Sequence, residues 1–230
     1  MIDVHPWMQE AVTLLHKEFG SRLLFVGLQG SYRRGEARKD SDIDILTILD
    51  KLDLADLAAY RRVLLTLPEG EKACGFTCSK EDLFAWPPFE LFQFEQDTDA
   101  WYGDLQLLLP PITHADTVSG ARAAVSGLNH YTTYLYVSRD EVTRVHELKG
   151  VYKTFFFAMQ VVEYLRSGFY ARSKNELYPR LAGDEAKLLQ LNMNPARYEE
   201  LAGKEPDMLF QLMLAWTSRV MRELAKAPTA

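Results

Sequence analysis

Two strongly apolar, β-like segments, Leu23–Leu28 and Ile43–Leu49, enclose a charged run. From Gly30 to Asp44 it reads Gly-Ser-Tyr-Arg-Arg-Gly-Glu-Ala-Arg-Lys-Asp-Ser-Asp-Ile-Asp. The first segment ends in a Gly-Ser turn, and the second opens with two acidic residues although it continues Ile-Leu-Thr-Ile-Leu. Side chains alternate across a strand, so Asp42 and Asp44 project from one face, about 7 Å apart, while Ile43 and Ile45 point into the core. Two carboxylates in that relation offer hard oxygen ligands for one or two Mg²⁺ ions. Gly30, without a Cβ, lets the backbone come close to a ligand. Ser31 adds a hydroxyl, and the following N–H groups make a phosphate cradle if a helix starts there. Such equipment suits phosphoryl or nucleotidyl transfer, which relies on positioning and charge neutralisation.

Taken in order, Gly30-Ser31, Arg34-Gly35-Glu36-Ala37-Arg38 and Asp40-Ser41-Asp42-Ile43-Asp44 resemble the signature of the DNA polymerase β nucleotidyltransferase superfamily. The layout is similar to small bacterial stand-alone members and to the kanamycin and streptomycin adenylyltransferases. The resemblance implies Mg²⁺ on Asp42 and Asp44, and an NTP, ATP first among them, as donor. Gly30 and Ser31 would meet the β and γ phosphates, and Arg34 the triphosphate oxygens. An NMP would pass to a hydroxyl of a small-molecule or protein acceptor.

Superfamily enzymes usually carry a third carboxylate on the next strand, as metal ligand or general base. The expected position falls on Cys74, beside Gly75, and a thiol is a poor Mg²⁺ ligand. Glu71, Glu90, Glu95 and Asp97 are possible substitutes. Glu95 and Asp97 follow an apolar segment and are placed to turn back toward the metal pair. The missing carboxylate also keeps a second reading open, a catalytically degenerate nucleotide-binding or regulatory protein of the same fold that acts through a protein partner.

With 230 residues and 47% hydrophobic content, the chain suffices for one large or two modest domains. No stretch approaches the ~20 apolar residues of a membrane span, and no secretion signal is expected from Met-Ile-Asp-Val-His-Pro, so a cytoplasmic protein is expected. A net charge of −6 argues against a nucleic-acid acceptor. Cys74 and Cys78 are expected as reduced thiols, because a disulfide across one strand face spans too far. No His/Cys cluster has zinc spacing, no Walker-type loop or Gly-x-Ser-x-Gly elbow occurs, and no pattern fixes an oligomeric state.

The expected class is α+β, a mixed-sheet nucleotidyltransferase domain over residues 1–113 followed by an all-α bundle over 114–230. Helix periodicity covers 6–19, with Met8, Val12, Leu15 and Phe19 on one face, and 53–67, with Leu54, Leu57, Leu64 and Leu67 as buried candidates. Strands are expected at 23–28, 43–49, 72–78 and 89–94, and a short helix capped by Ser79. Further helices are expected from Asp116 to Val137, from Arg139 to Tyr170, around 184–192 and 195–202, and from Pro206 to Ala225. On the long helix, Lys149 and Lys153 are four apart and share a face with Gly150 between them. With Tyr152 they suggest a basic patch toward the nucleotide. Arg33 and Arg38 are weaker phosphate candidates. Glu90, Glu95, Asp97, Glu141 and Glu147 suggest an acidic surface for a cationic acceptor. His130 and His146 permit only a remote nuclease-like reading.

Overall fold

Asp3 starts the first helix: its carboxylate accepts a hydrogen bond from the His5 amide and caps α1 (Val4–Phe19). Pro6 sits in the first turn, where a missing N–H leaves no bond unmade. In the computed structural model, which describes residues 2–227, α1 is followed by β1 (Leu23–Leu28), α2 (Gly30–Arg33), β2 (Ile43–Leu49) and α3 (Leu54–Leu65). Then come β3 (Ala73–Ser79), α4 (Lys80–Ala85), α5 (Pro88–Asp97) and β4 (Asp99–Tyr102). These elements form the first of two compact units, Met1–Ile112 and Thr113–Ala230.

The strands make a mixed sheet in the order β3-β2-β1-β4. β1 runs antiparallel to β2 and β4, and β2 runs parallel to β3. β2 is central and apolar on both faces, the pattern of a strand covered on each side. Ile43, Ile45 and Leu49 pack with Met8, Leu15, Tyr60 and Leu64 of α1 and α3. Leu46 and Ile48 face the other way, onto Phe25, Cys78, Leu83 and Leu91. Asp44 belongs to this second set by alternation, one pleat before Leu46. The pleat therefore carries the carboxylate out of a face whose continuation is core.

Two expectations in this unit are corrected. The strand expected at 89–94 lies inside α5, because Pro88 begins a helix there and consecutive Leu91 and Phe92 are both buried. The apparent alternation of Phe-Glu-Leu-Phe-Gln-Phe misled, and the fourth strand comes later, at Asp99–Tyr102. In α3, Leu54 is 82% exposed and Leu57 is also exposed, while Ala59, Tyr60 and Leu64 are buried. The helix is rotated so that Asp56 turns inward, where it accepts from both terminal nitrogens of Arg22 at 2.8 and 2.7 Å. Asp53 caps it through a reciprocal box with Asp56.

The second unit is all-helical: α6 (His114–Ser138), α7 (Glu141–Ser167), α8 (Lys174–Leu177), α9 (Gly183–Met193), α10 (Pro195–Lys204) and α11 (Pro206–Leu224). Thr113, not Asp116, caps α6. Asp116 is its partner three residues on, accepting from the Thr113 amide and hydroxyl at 2.8 and 2.6 Å. The core draws on buried residues of α7 (Leu148, Phe155, Met159, Val162) and α11 (Leu209, Met213, Trp216, Val220), and α6, which packs against both helices, adds Val118, Val125 and Leu135. The Phe155 and Trp216 rings meet edge-on at 4.6 Å. No described helix is long and apolar enough to cross a membrane.

Candidate active site

The loop after β1 turns directly into α2. The Gln29 amide donates to the Asp44 carbonyl at 2.8 Å, so the loop starts pinned to β2. Gly30 then adopts φ +67° and lies flat against the Asp44 carboxylate. A Cβ on Gly30 would stand 2.5 Å from Asp44 Cγ and closer still to Oδ2. Only glycine fits both the backbone conformation and the space. Ser31 follows in α2, half-buried. The helix is a single turn, so what it offers an anion is a few N–H groups and a hydroxyl rather than a long macrodipole.

The rest of the loop returns to β2 through its own bonds. The Glu36 amide donates to the Ser31 carbonyl at 2.8 Å, and the Arg38 amide to Ser41 Oγ at 2.8 Å. Lys72, paired with Glu69, donates to the Lys39 carbonyl at 3.1 Å and ties the loop to the start of β3. Asp42 precedes β2 and is exposed, and Asp44 is the second residue of the strand and half-buried. Gly30 and Asp44 are thus in contact, with Ser31 adjacent to the one and Asp42 two residues from the other.

β3 contributes the neighbouring group. Asp44 is in register with Cys74, whose thiol donates to Asp44 Oδ1 at 3.4 Å. Partial burial, then the Asp44 charge, pushes the Cys74 thiol up to about 12. At neutral pH the residue is a neutral donor, neither a base nor an anionic ligand. Cys74 and Cys78 are both free thiols.

Other sequence-selected residues have identifiable partners. Arg34 pairs with Glu36 at 3.2 Å. Asp97 is buried and accepts from Arg33 Nη1 at 2.8 Å, so this expected third carboxylate is held by a guanidinium. Glu95 accepts from Gln106 Nε2 at 3.1 Å, and Glu90 from the Trp86 indole at 2.7 Å. In the second unit Lys149 pairs with Glu199, and Lys153 is exposed on the same face of α7. Tyr152 does not join them: it is buried, with its hydroxyl on the Leu209 carbonyl at 2.9 Å. Glu147 accepts from the Tyr131 hydroxyl at 3.2 Å, and His130 and His146 are exposed. Sequence reasoning missed the Arg33–Asp97 pair. The signal was present in Pro88, since reading a helix from it would have put Asp97 at the helix end rather than in a loop.

Among the described residues no group of three or more His, Cys, Asp and Glu side chains is arranged to hold a metal ion. The donor set still fits Mg²⁺, which proteins commonly bind through one or two carboxylates together with substrate phosphates. Asp42 and Asp44 are such a pair, and Gly30 puts no side chain of its own against the Asp44 carboxylate.

A one-turn helix after an antiparallel strand, a glycine against a strand carboxylate and a mixed sheet together define a class. Residues 12–91 match the nucleotidyltransferase domain family, and the first unit carries a nucleotidyltransferase domain of the polymerase β type. The whole chain is similar in fold to the spectinomycin adenyltransferase AAD(9) from Enterococcus faecialis, solved with ATP and spectinomycin. The two share 12% identity and a TM-score of 0.54 over 95% of this chain and 99% of that one. No curated protein matches the chain.

Proposed function

We propose that the protein is a Mg²⁺-dependent nucleotidyltransferase that moves an NMP, AMP in the first instance, from an NTP to a hydroxyl of a small-molecule acceptor. The observation that carries this is the contact of Gly30 with the Asp44 carboxylate inside a matched nucleotidyltransferase domain. It brings a glycine backbone, the N–H groups of a one-turn helix and two carboxylates to one place. Asp42 and Asp44 would hold the ion, Gly30 and Ser31 would receive the β and γ phosphates, and Arg34 lies three residues past Ser31. When bound, Mg²⁺ supplies positive charge against the triphosphate and the departing pyrophosphate. Gly30 lets the loop backbone lie directly against the Asp44 carboxylate, Ser31 donates to phosphate oxygen, and the β2–β3 pairing fixes the strand that carries Asp44. Cys74 does not take the acceptor's proton. Asp97 is bound to a buried guanidinium, which leaves Glu95 as the carboxylate to test for that role. A small-molecule acceptor is favoured by the likeness to a fold solved with one.

A second reading has its own observation. The thiol of Cys74 stands in register beside Asp44, where the resemblance implies a carboxylate. This favours a domain that binds nucleotide without turnover and acts through a partner. One titration series tests both readings. ATP, GTP, CTP and UTP are titrated calorimetrically with Mg²⁺ into wild type, Asp42→Asn and Asp44→Asn, and pyrophosphate release is followed with acceptors added. Metal-dependent binding by wild type alone, with release, is expected. Binding without release across a broad acceptor panel would move the conclusion to the second reading. Release that survives both substitutions would end the mechanism.

A further inference from the structure

Arg33 stands in the signature loop, yet its guanidinium faces away from solvent, with the side chain 2% exposed. One short segment at the junction of α5 and β4 holds it on three sides. Nη1 donates to Asp97 Oδ1 at 2.8 Å, Nη2 to the Gln96 carbonyl at 3.0 Å and Nε to Asp99 Oδ1 at 3.2 Å. On the other side of the Gly30-Ser31 turn, Gln29 Nε2 donates to Thr98 Oγ1 at 2.8 Å. Residues 96–99 therefore grip the turn from both ends, while the Gln29 amide bonds to β2. A helix of one turn has too few internal hydrogen bonds to hold its own geometry. What orients it must come from outside, and a planar fork fixed at three acceptors sets direction as well as distance.

We propose that Arg33 and Asp97 are a positioning pair that holds the Gly30-Ser31 turn in the orientation that receives the triphosphate, without either residue touching the nucleotide. The role rests on the nucleotidyl-transfer reading above. It assigns Asp97 a place in the site different from the base or metal ligand expected of it.

The test separates orientation from stability. Breaking a buried ion pair from one side leaves an unpaired charge, whereas replacing both partners with apolar residues of similar size is often neutral for stability. The double variant Arg33→Met/Asp97→Leu, with Arg33→Lys and Asp97→Asn, is followed by thermal unfolding and by calorimetric titration with the Mg²⁺ complex of the NTP that wild type binds best. The double variant is expected to melt close to wild type and to bind about tenfold or more weakly, since small displacements of a binding group are costly. Lysine at 33, a point charge that cannot span three acceptors, is expected to recover only part of the affinity. Wild-type affinity in a folded double variant overturns the proposal. If that variant does not fold, Arg33→Lys and Asp97→Asn decide, measured well below their own transitions, and unchanged affinity in both overturns it equally. Failure of wild type to bind any NTP removes the nucleotide reading and this role with it. Binding by wild type and all variants alike removes the role alone.

Discussion

Gly30→Ala probes the site at its tightest point, and Gly35→Ala is its internal control. The two glycines have φ of +67° and +68°, so a side chain at either meets the same backbone penalty. That penalty is about 1–2 kcal/mol for the left-handed region. Their surroundings differ. A Cβ on Gly35 meets nothing within 4 Å, whereas one on Gly30 runs into the Asp44 carboxylate, 2.5 Å from Cγ. The carboxylate can swing off its rotamer at about 0.5–1.5 kcal/mol, but Asp44 Cβ, 2.9 Å from the added methyl, moves only if loop or strand backbone gives way as well. Gly35→Ala should therefore cost about 1–2 kcal/mol of stability and Gly30→Ala about 1.5–3.5 kcal/mol or more. Affinity should separate them further. Gly35→Ala should bind the Mg²⁺ complex of an NTP nearly as wild type does, while Gly30→Ala displaces a carboxylate from the ion and should lose about ten- to a hundredfold, about 1.4–2.8 kcal/mol. Urea unfolding gives the first comparison, and calorimetry below both transitions the second. Equal losses of affinity in the two variants, or full affinity in Gly30→Ala, would refute the claim that the glycine makes room beside Asp44.

Cys74 should be slow to alkylate despite its exposure, because the thiolate is the nucleophile and its folded pKa is pushed up to about 12. Iodoacetamide labelling, followed by mass spectrometry to separate Cys74 from buried Cys78, should accelerate as pH rises and also in Asp44→Asn; labelling of the native protein as fast as the unfolded chain would refute this. In the second unit, Glu185 is a buried carboxylate that accepts from Arg166 at 3.1 Å, Arg219 at 2.8 Å and the Trp216 indole at 3.1 Å. Glu185→Ala should destabilise that unit by about 1–3 kcal/mol, measured by chemical denaturation, since it leaves the buried Trp216 indole N–H without its acceptor and Arg219 without this carboxylate, while Arg166 keeps Glu223. A loss below about 1 kcal/mol would mean the charges are already screened by water.

The central strands were legible because an apolar run bounded by glycine and aspartate has few alternatives, and Leu23–Leu28 and Ile43–Leu49 form the predicted strands. Capping signals were equally direct: Asp53 and Ser79 each begin the helix expected of them. The sequence pointed to Gly30 as a place where the backbone approaches a ligand, but not to its contact with the Asp44 carboxylate, which depends on how the loop folds back onto β2. Tertiary rotation was not legible. Leu54 and Leu57 look buried by composition, but the Arg22–Asp56 pair, made across a long sequence separation, decides which face of α3 turns inward. The same limit hid Arg33. Nothing local links it to Asp97, and reading 89–94 as a strand removed the helix end that places Asp97 where a guanidinium can reach it. Tyr152 was misassigned because Lys149 and Lys153 flank a stripe whose inner edge is core.

A strand greasy on both faces carries little information about its own alignment, since sliding by one residue exchanges one apolar set for another. β2 is such a strand apart from Asp44 and Thr47, whose small buried hydroxyl shares a hydrogen bond with Tyr60. Slipped by one place, the carboxylate would land among Met8, Leu15 and Leu64, and burying it there unpaired would cost several kcal/mol. The acid proposed to hold the metal is thus also a mark by which the folding chain counts its residues into place.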